Sequence, residues 1–155
     1  MYAEPTCFDD ASKLPEWVDA MKVEIDMIEK NETWLLTDLP ENKKAIGVKW
    51  VYRTKFNPDG SIFKHKARLV VKGYAQVAGI DYGDTFAPVV RHDTIKLLLA
   101  MAAQLGWKVF HLDVKSAFLN GILQEDIFVM QPEGFEVIGQ EHKVYKHNKA
   151  LYGLK

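Results

Sequence analysis

The sequence predicts an α+β fold, a mainly antiparallel sheet with helices packed on it, from three observations. Apolar residues recur at helical spacing from Leu14 to Ile28, two alternating runs flank the tetrad Asn57-Pro58-Asp59-Gly60, and a second helical pattern extends from Ile95 to Leu105. At 155 residues, 48% apolar and 26% charged, the chain is long enough for one domain with its own core.

Taken in order, Met1 to Asp10 is acidic and polar and reads as a solvated terminus. Pro15 marks a helix start, and Leu14, Trp17, Val18, Met21, Ile25 and Ile28 give one apolar face to a helix ending near Asn31. Ile46, Val48, Trp50 and Tyr52 alternate with Gly47, Lys49, Val51 and Arg53, and the Asn57–Gly60 turn leads into a second arm, so residues 46–72 form a β-hairpin. In that arm Phe63, Ala67, Leu69 and Val71 share one face, and Lys64, Lys66, Arg68 and Lys72 the other. Asp93 caps a helix that buries Ile95, Leu98, Leu99, Ala102 and Leu105, and Gly106 stops it. Trp107, Val109, His111 and Asp113 alternate with Lys108, Phe110, Leu112 and Val114, a strand with Asp113 at its C-terminal tip. Ile127 to Met130 is a further strand, and Lys143-Val144-Tyr145 begins another helix.

Charge is segregated. Residues 1–41 hold eleven acids against three lysines, whereas residues 42–72 hold nine basic residues against Asp59 alone. The net charge of −1 excludes a uniformly basic binder, but the hairpin segment can meet phosphates. No apolar run reaches the roughly 20 residues of a membrane span, and the chain reads as intracellular, not secreted, with no membrane partner. A single cysteine, Cys7, excludes an internal disulfide and a cysteine-based zinc knuckle. The five histidines show no metal-site spacing, Ser116 has no nucleophile elbow, and no phosphate-binding G-x-x-x-x-G-K-[ST] loop is present.

Asp113 at a strand tip is a hard oxygen ligand suited to Mg²⁺, although an isolated aspartate there is as well read as a surface acid. Lys64, Lys66 and Arg68 point one way and can clamp a triphosphate or template phosphates, with Lys49, Arg53 and Lys72 as further nucleic-acid contacts. Which of Lys66 and Arg68 meets the phosphates stays open, since register sets the faces. Trp50, Tyr52, Phe56 and Tyr74 can stack on bases or fill the core. Ser116 and Ala117 offer backbone N–H groups to a triphosphate. Phe8-Asp9-Asp10 imitates a catalytic acid pair but lacks flanking strands, and reads as surface.

The stretch Leu112 to Gly121 resembles the first catalytic motif of copia-type long-terminal-repeat retrotransposon reverse transcriptases, and the resemblance covers nearly the whole chain. Trp17-x-x-Ala20-Met21-x-x-Glu24, Asn31-Glu32-Thr33-Trp34 with Leu39-Pro40, Ile46 to Val51, Lys66 to Val70, Lys72-Gly73, Asp84 to Val89, Gln131 to Phe135 and Leu151 to Lys155 all look like family blocks in order. The resemblance implies the fingers (about 1–90) and the first part of the palm (about 91–155) of a right-hand polymerase within a Pol polyprotein, acting in the cytoplasm, inside a virus-like particle, or in the nucleus. Its substrates would be deoxynucleoside triphosphates and an RNA or DNA template-primer.

By the same resemblance Asp113 and the Val114 carbonyl hold Mg²⁺ or Mn²⁺ for two-metal nucleotidyl transfer, and Phe118 lies beneath the incoming sugar as a steric gate against a 2′-hydroxyl. The helix at Asp93 would back the palm sheet. The family continues with P-R-x-W and a Tyr-x-Asp-Asp hairpin that this sequence lacks, so the chain alone is expected to be inactive. The alternative is a nonenzymatic degenerate remnant that at most binds nucleic acid. Lys96 stands where the family usually has Arg, and His147 where an apolar residue is common.

Overall fold

The computed structural model describes residues 4–79, 81–83, 91–112 and 122–155. The motif Asp84 to Val89 and the stretch Asp113 to Gly121 lie outside the described residues.

A short helical turn, α1 (Phe8–Ala11), precedes α2 (Pro15–Lys30). Pro15 occupies the first turn, where its missing N–H costs nothing, and Leu14 ahead of it is extended. Trp17, Met21, Ile25 and Ile28 form the buried stripe, as the spacing predicts. The helix ends in a Schellman arrangement: the Thr33 N–H donates to the Ile28 carbonyl and the Glu32 N–H to that of Glu29, with Glu32 at φ 51°.

The hairpin is β2 (Val48–Phe56) and β3 (Ile62–Val71), antiparallel, with Trp50 opposite Leu69 and Tyr52 opposite Ala67. Asp59 accepts from the Ser61 N–H and hydroxyl, and Gly60 takes φ 84°, which closes the turn. The pairing slips at Lys55/Phe56, so Phe56 opposes Ile62 and Phe63 is left over. This corrects one expectation: Phe63 is 62% exposed and does not join Ala67, Leu69 and Val71 in the core.

The second sheet runs β1 (Trp34–Thr37), β5 (Val144–Lys149), β4 (Ile122–Val129), all antiparallel. Trp34, His147 and Ile127 make one row across it, and Leu36, Tyr145 and Val129 the next. The helix expected to begin at Lys143 is therefore a strand. Val144 to Lys149 lies between two partners, and pairing on both sides decides against the weak local helical signal. Ile46 ties the sheets together: its N–H donates to the Phe128 carbonyl and its carbonyl accepts from Met130. One core spans both sheets and α2, including Trp17, Met21, Ile28, Trp50, Tyr52, Leu69, Val129 and Leu151.

The helix α3 (His92–Leu105) forms where expected, and Gly106 at φ 67° ends it. Two expectations about it fail. Arg91, not Asp93, stands at the N-cap, and Asp93 lies within the first turn, where a carboxylate favours the positive end of the helix. Ile95, Leu98, Leu99 and Leu105 are 42–55% exposed and only Ala102 is buried, so among the described residues α3 does not pack on a sheet. The strand expected from Trp107 is also not formed over residues 107–112, where Trp107, Val109, Phe110 and Leu112 are exposed. The two outcomes share a cause: a strand exists through its ladder partner, and a helix face is buried only against a sheet that has formed.

Candidate nucleotide and nucleic-acid interface

The pleat of the hairpin sorts its side chains. Trp50, Tyr52, Ala67, Leu69 and Val71 turn inward against α2, where the Trp17 ring meets Tyr52 edge-on at 5.3 Å and His65 at 4.5 Å. The opposite face carries Lys49, Arg53, Lys55, Lys64, Lys66 and Arg68. Arg53 is paired directly with Lys66, Lys55 with Lys64, and Val51 with Arg68. Like charges set directly opposite each other are unfavourable without an anion between them, so this face carries unbalanced positive charge.

Lys66 and Arg68 share this face, so the observed register does not choose between them. Arg68 is held with its guanidinium carbon 5.1 Å from the centre of the Tyr152 ring, and its buried Nε has no hydrogen-bond partner among the described residues. Partial burial lowers the Lys66 ammonium below the usual lysine value, neighbouring Arg68 lowers it further, and Glu24 opposes both. Lys64 extends past the exposed Phe63 ring. Lys72 lies at the end of β3 with its stem against Gly47, and its N–H donates to the Gly47 carbonyl.

Carboxylates guard both edges of the hairpin. Glu4 accepts from the Thr54 N–H at 2.7 Å and approaches Arg53 at 3.4 Å on the β2 side, while Glu24 accepts from the Leu69 N–H at 3.3 Å on the β3 side. Burial raises the Glu24 carboxyl above its usual value against the pull of the Leu69 hydrogen bond, Lys66 and Arg68. The C-terminal segment completes the frame. The Val71 N–H donates to the Tyr152 carbonyl at 2.7 Å, and Gly73 and Gly153 touch so closely that a Cβ on Gly73 would lie 1.9 Å from the Gly153 oxygen.

Of the aromatic candidates, Trp50 and Tyr52 are core. The Trp50 Nε1–H donates to the Glu133 carbonyl and its ring packs on Phe135, while the Tyr52 hydroxyl approaches the Met21 sulfur. Phe56 and Tyr74 are exposed and available for stacking. Phe8 packs against Gly134, leaving Asp9 and Asp10 on the surface. His111 is exposed. Asp113, Val114, Ser116, Ala117 and Phe118 lie outside the described residues, and within those residues no group of three His, Cys, Asp or Glu converges to hold a metal. Glu4, Glu24 and Tyr152 were not read from the sequence as part of this face. Each reaches it from a segment 45 or more residues away, so no local pattern could announce it.

A profile of the reverse transcriptase (RNA-dependent DNA polymerase) family matches residues 31–155, and the chain belongs to that family. Its relatives narrow the class. Over 155 residues it is 45% identical to the retrovirus-related Pol polyprotein from transposon TNT 1-94 of Nicotiana tabacum, covering 98% of this chain and 12% of that polyprotein. Over 154 residues it is 41% identical to the corresponding polyprotein from transposon RE1 of Arabidopsis thaliana, covering 99% of this chain and 10% of that one. The chain is thus similar throughout to plant copia-type Pol polyproteins and spans about a tenth of their length. It is also 44% identical over 102 residues to an uncharacterized mitochondrial protein of Arabidopsis thaliana, 60% of whose length is covered. No solved structure matches it.

Proposed function

We propose that this chain forms the fingers and the start of the palm of a retrotransposon RNA-directed DNA polymerase. It would work within a larger Pol polyprotein on deoxynucleoside triphosphates and an RNA or DNA template-primer. The observation that carries this reading is the row of like-charged cross-strand pairs on the outer face of β2 and β3, a face suited to oxygens bearing delocalised negative charge. Lys64, Lys66 and Arg68 would meet the triphosphate, and Lys49, Arg53 and Lys72 the nucleic-acid backbone. Ser116, Ala117 and Phe118 would contact the nucleotide beside Asp113.

Asp113 and the Val114 carbonyl would hold Mg²⁺ or Mn²⁺, whose role when bound is to neutralise charge on the attacking and leaving oxygens. One carboxylate and one carbonyl are too few for two such ions, which together take about a dozen ligand positions. Further carboxylates must be supplied from elsewhere, and the 155-residue chain by itself should not extend a primer.

Primer extension on poly-rA with Mg²⁺ and deoxynucleotides tests this, comparing the chain with a version extended through an Asp-Asp hairpin and thumb. Activity only in the extended version, abolished by Asp113→Asn, supports the reading. Activity in the 155-residue chain alone overturns the ligand count. A second reading, a nonenzymatic remnant that binds nucleic acid, draws on the match to a short mitochondrial protein over 60% of its length. It predicts silence in both versions with oligonucleotide binding retained.

A further inference from the structure

The motif Trp17-x-x-Ala20-Met21-x-x-Glu24 is explained by packing up to its last residue. Trp17 and Met21 are buried in the core, but Glu24 turns aside to the outer edge of β3. A neutral acceptor would cap the Leu69 N–H equally well, yet here an ionisable carboxyl sits partly desolvated beside Lys66 and Arg68. Among the described residues neither cation is within ion-pair distance of a carboxylate, whereas on the other edge Glu4 pairs with Arg53 at 3.4 Å. Glu24 therefore influences both cations without being locked to either. The open Nε of Arg68 leaves a donor unused on the same strand.

We propose that Glu24 is a positioning residue for Lys66 and Arg68, an internal counter-anion anchored on the Leu69 N–H whose electrostatic place is taken by phosphate oxygens when ligand arrives. This rests on the reading of the hairpin as the phosphate-facing surface. In the empty state Glu24 offsets the repulsion among Lys55, Lys64, Lys66 and Arg68, and in the loaded state it opposes the incoming charge. It thereby sets how tightly the hairpin binds, favouring release over retention.

The test is binding of a fluorescein-labelled 16-nucleotide oligothymidylate at low salt, followed by anisotropy. Glu24→Gln keeps the acceptor for Leu69 and removes the charge, and should tighten binding about fivefold, a gap that closes at high salt. Asp26→Asn, an exposed change of equal charge on the same helix, should leave affinity unchanged. The gain should vanish in the Lys66→Ala/Arg68→Ala background.

Equal or weaker binding by Glu24→Gln, with binding still dependent on Lys66 and Arg68, overturns the role of Glu24 and leaves the hairpin reading standing. Binding indifferent to Lys66→Ala/Arg68→Ala overturns the hairpin reading itself. Competition by thymidine triphosphate assigns the contact to the nucleotide, and its failure assigns it to strand phosphates. Should Glu24→Gln not fold, carboxyl ¹³C NMR decides: the Glu24 titration must move to higher pH when oligonucleotide binds, and an unmoved titration overturns the proposal.

Discussion

Acidification should destabilise this fold through His147 before its hydrogen-bonded carboxylates respond. His147 sits at the centre of the β1-β5-β4 sheet, opposite Trp34 and Ile127, and is 2% exposed. Its Nδ1 lies 3.2 Å from the Lys149 carbonyl, which can only accept, so Nδ1 carries the proton and the buried Nε2 is a bare lone pair without a hydrogen-bond partner among the described residues. Burial lowers its pKa from 6.5 to about 4, the Lys149 hydrogen bond opposing weakly. The folded chain thus resists a proton that the unfolded chain accepts near 6.5. Stability is fully present above that value and is lost as pH falls toward 4. A displacement of this size is worth roughly 3 kcal/mol in all, of which about 1 kcal/mol is lost by pH 5.5. Against a typical total of about 5–15 kcal/mol, that is a large share.

Urea denaturation followed by circular dichroism between pH 7.5 and 4.5 measures it, with His147→Leu as the comparison. The carboxyls of Asp59, Asp126 and Glu141, lowered by their hydrogen bonds, contribute below the histidine range. The raised Glu24 acts with the opposite sign. All four are common to both proteins, so the difference between the two curves isolates His147. His147→Leu should lie within about 1 kcal/mol of the unmodified chain at pH 7.5, having lost a hydrogen bond and an orphaned acceptor together. It should be the more stable by roughly 2 kcal/mol at pH 5. Parallel curves would refute the reasoning.

Other consequences follow from single residues. Glu32 occupies the left-handed C-terminal position of α2, so Glu32→Gly should raise stability by about 1 kcal/mol in thermal melts. Gly134 is at φ 81° and a Cβ there would fall 2.1 Å from the Phe8 ring, so Gly134→Ala should cost roughly 2 kcal/mol or more in the same melts. Removing Lys64, Lys66 and Arg68 together should weaken oligonucleotide binding and flatten the plot of log affinity against log salt by about 0.7 per lost phosphate contact on single strands, read by anisotropy at three salt concentrations.

What the sequence made legible was local. The stripe Trp17-Met21-Ile25-Ile28, the Asn57–Gly60 turn and the alternation of lysines with Ala67, Leu69 and Val71 are short-range periodicities, and each formed as read. What failed depended on partners far along the chain. Val144 to Lys149 is a strand because β1 and β4 flank it, and Trp107 to Leu112 has no strand because no ladder reaches it. Phe63 left the core through one slipped pair, which no reading of alternation could foresee. The cationic face was legible, while the carboxylates that restrain it were not.

That contrast bears on how the acidic and basic segments of the chain relate. Segregated charge could have meant two surfaces facing different partners. In the fold, Glu4 and Glu24 from the acidic segment are brought to the two edges of the basic hairpin, and each accepts an N–H that an edge strand would otherwise expose. The hairpin is a two-stranded sheet, marginal by itself, and its outward lysines repel one another. Packing of α2 supplies the apolar support, and the same helix delivers Glu24 one residue before Ile25, within a turn of Met21. The hairpin's burial and its electrostatic restraint therefore cannot be separated by moving the helix. They can be separated by changing the charge at Glu24 alone, which is why a glutamine there, and not a truncation of α2, is the informative perturbation.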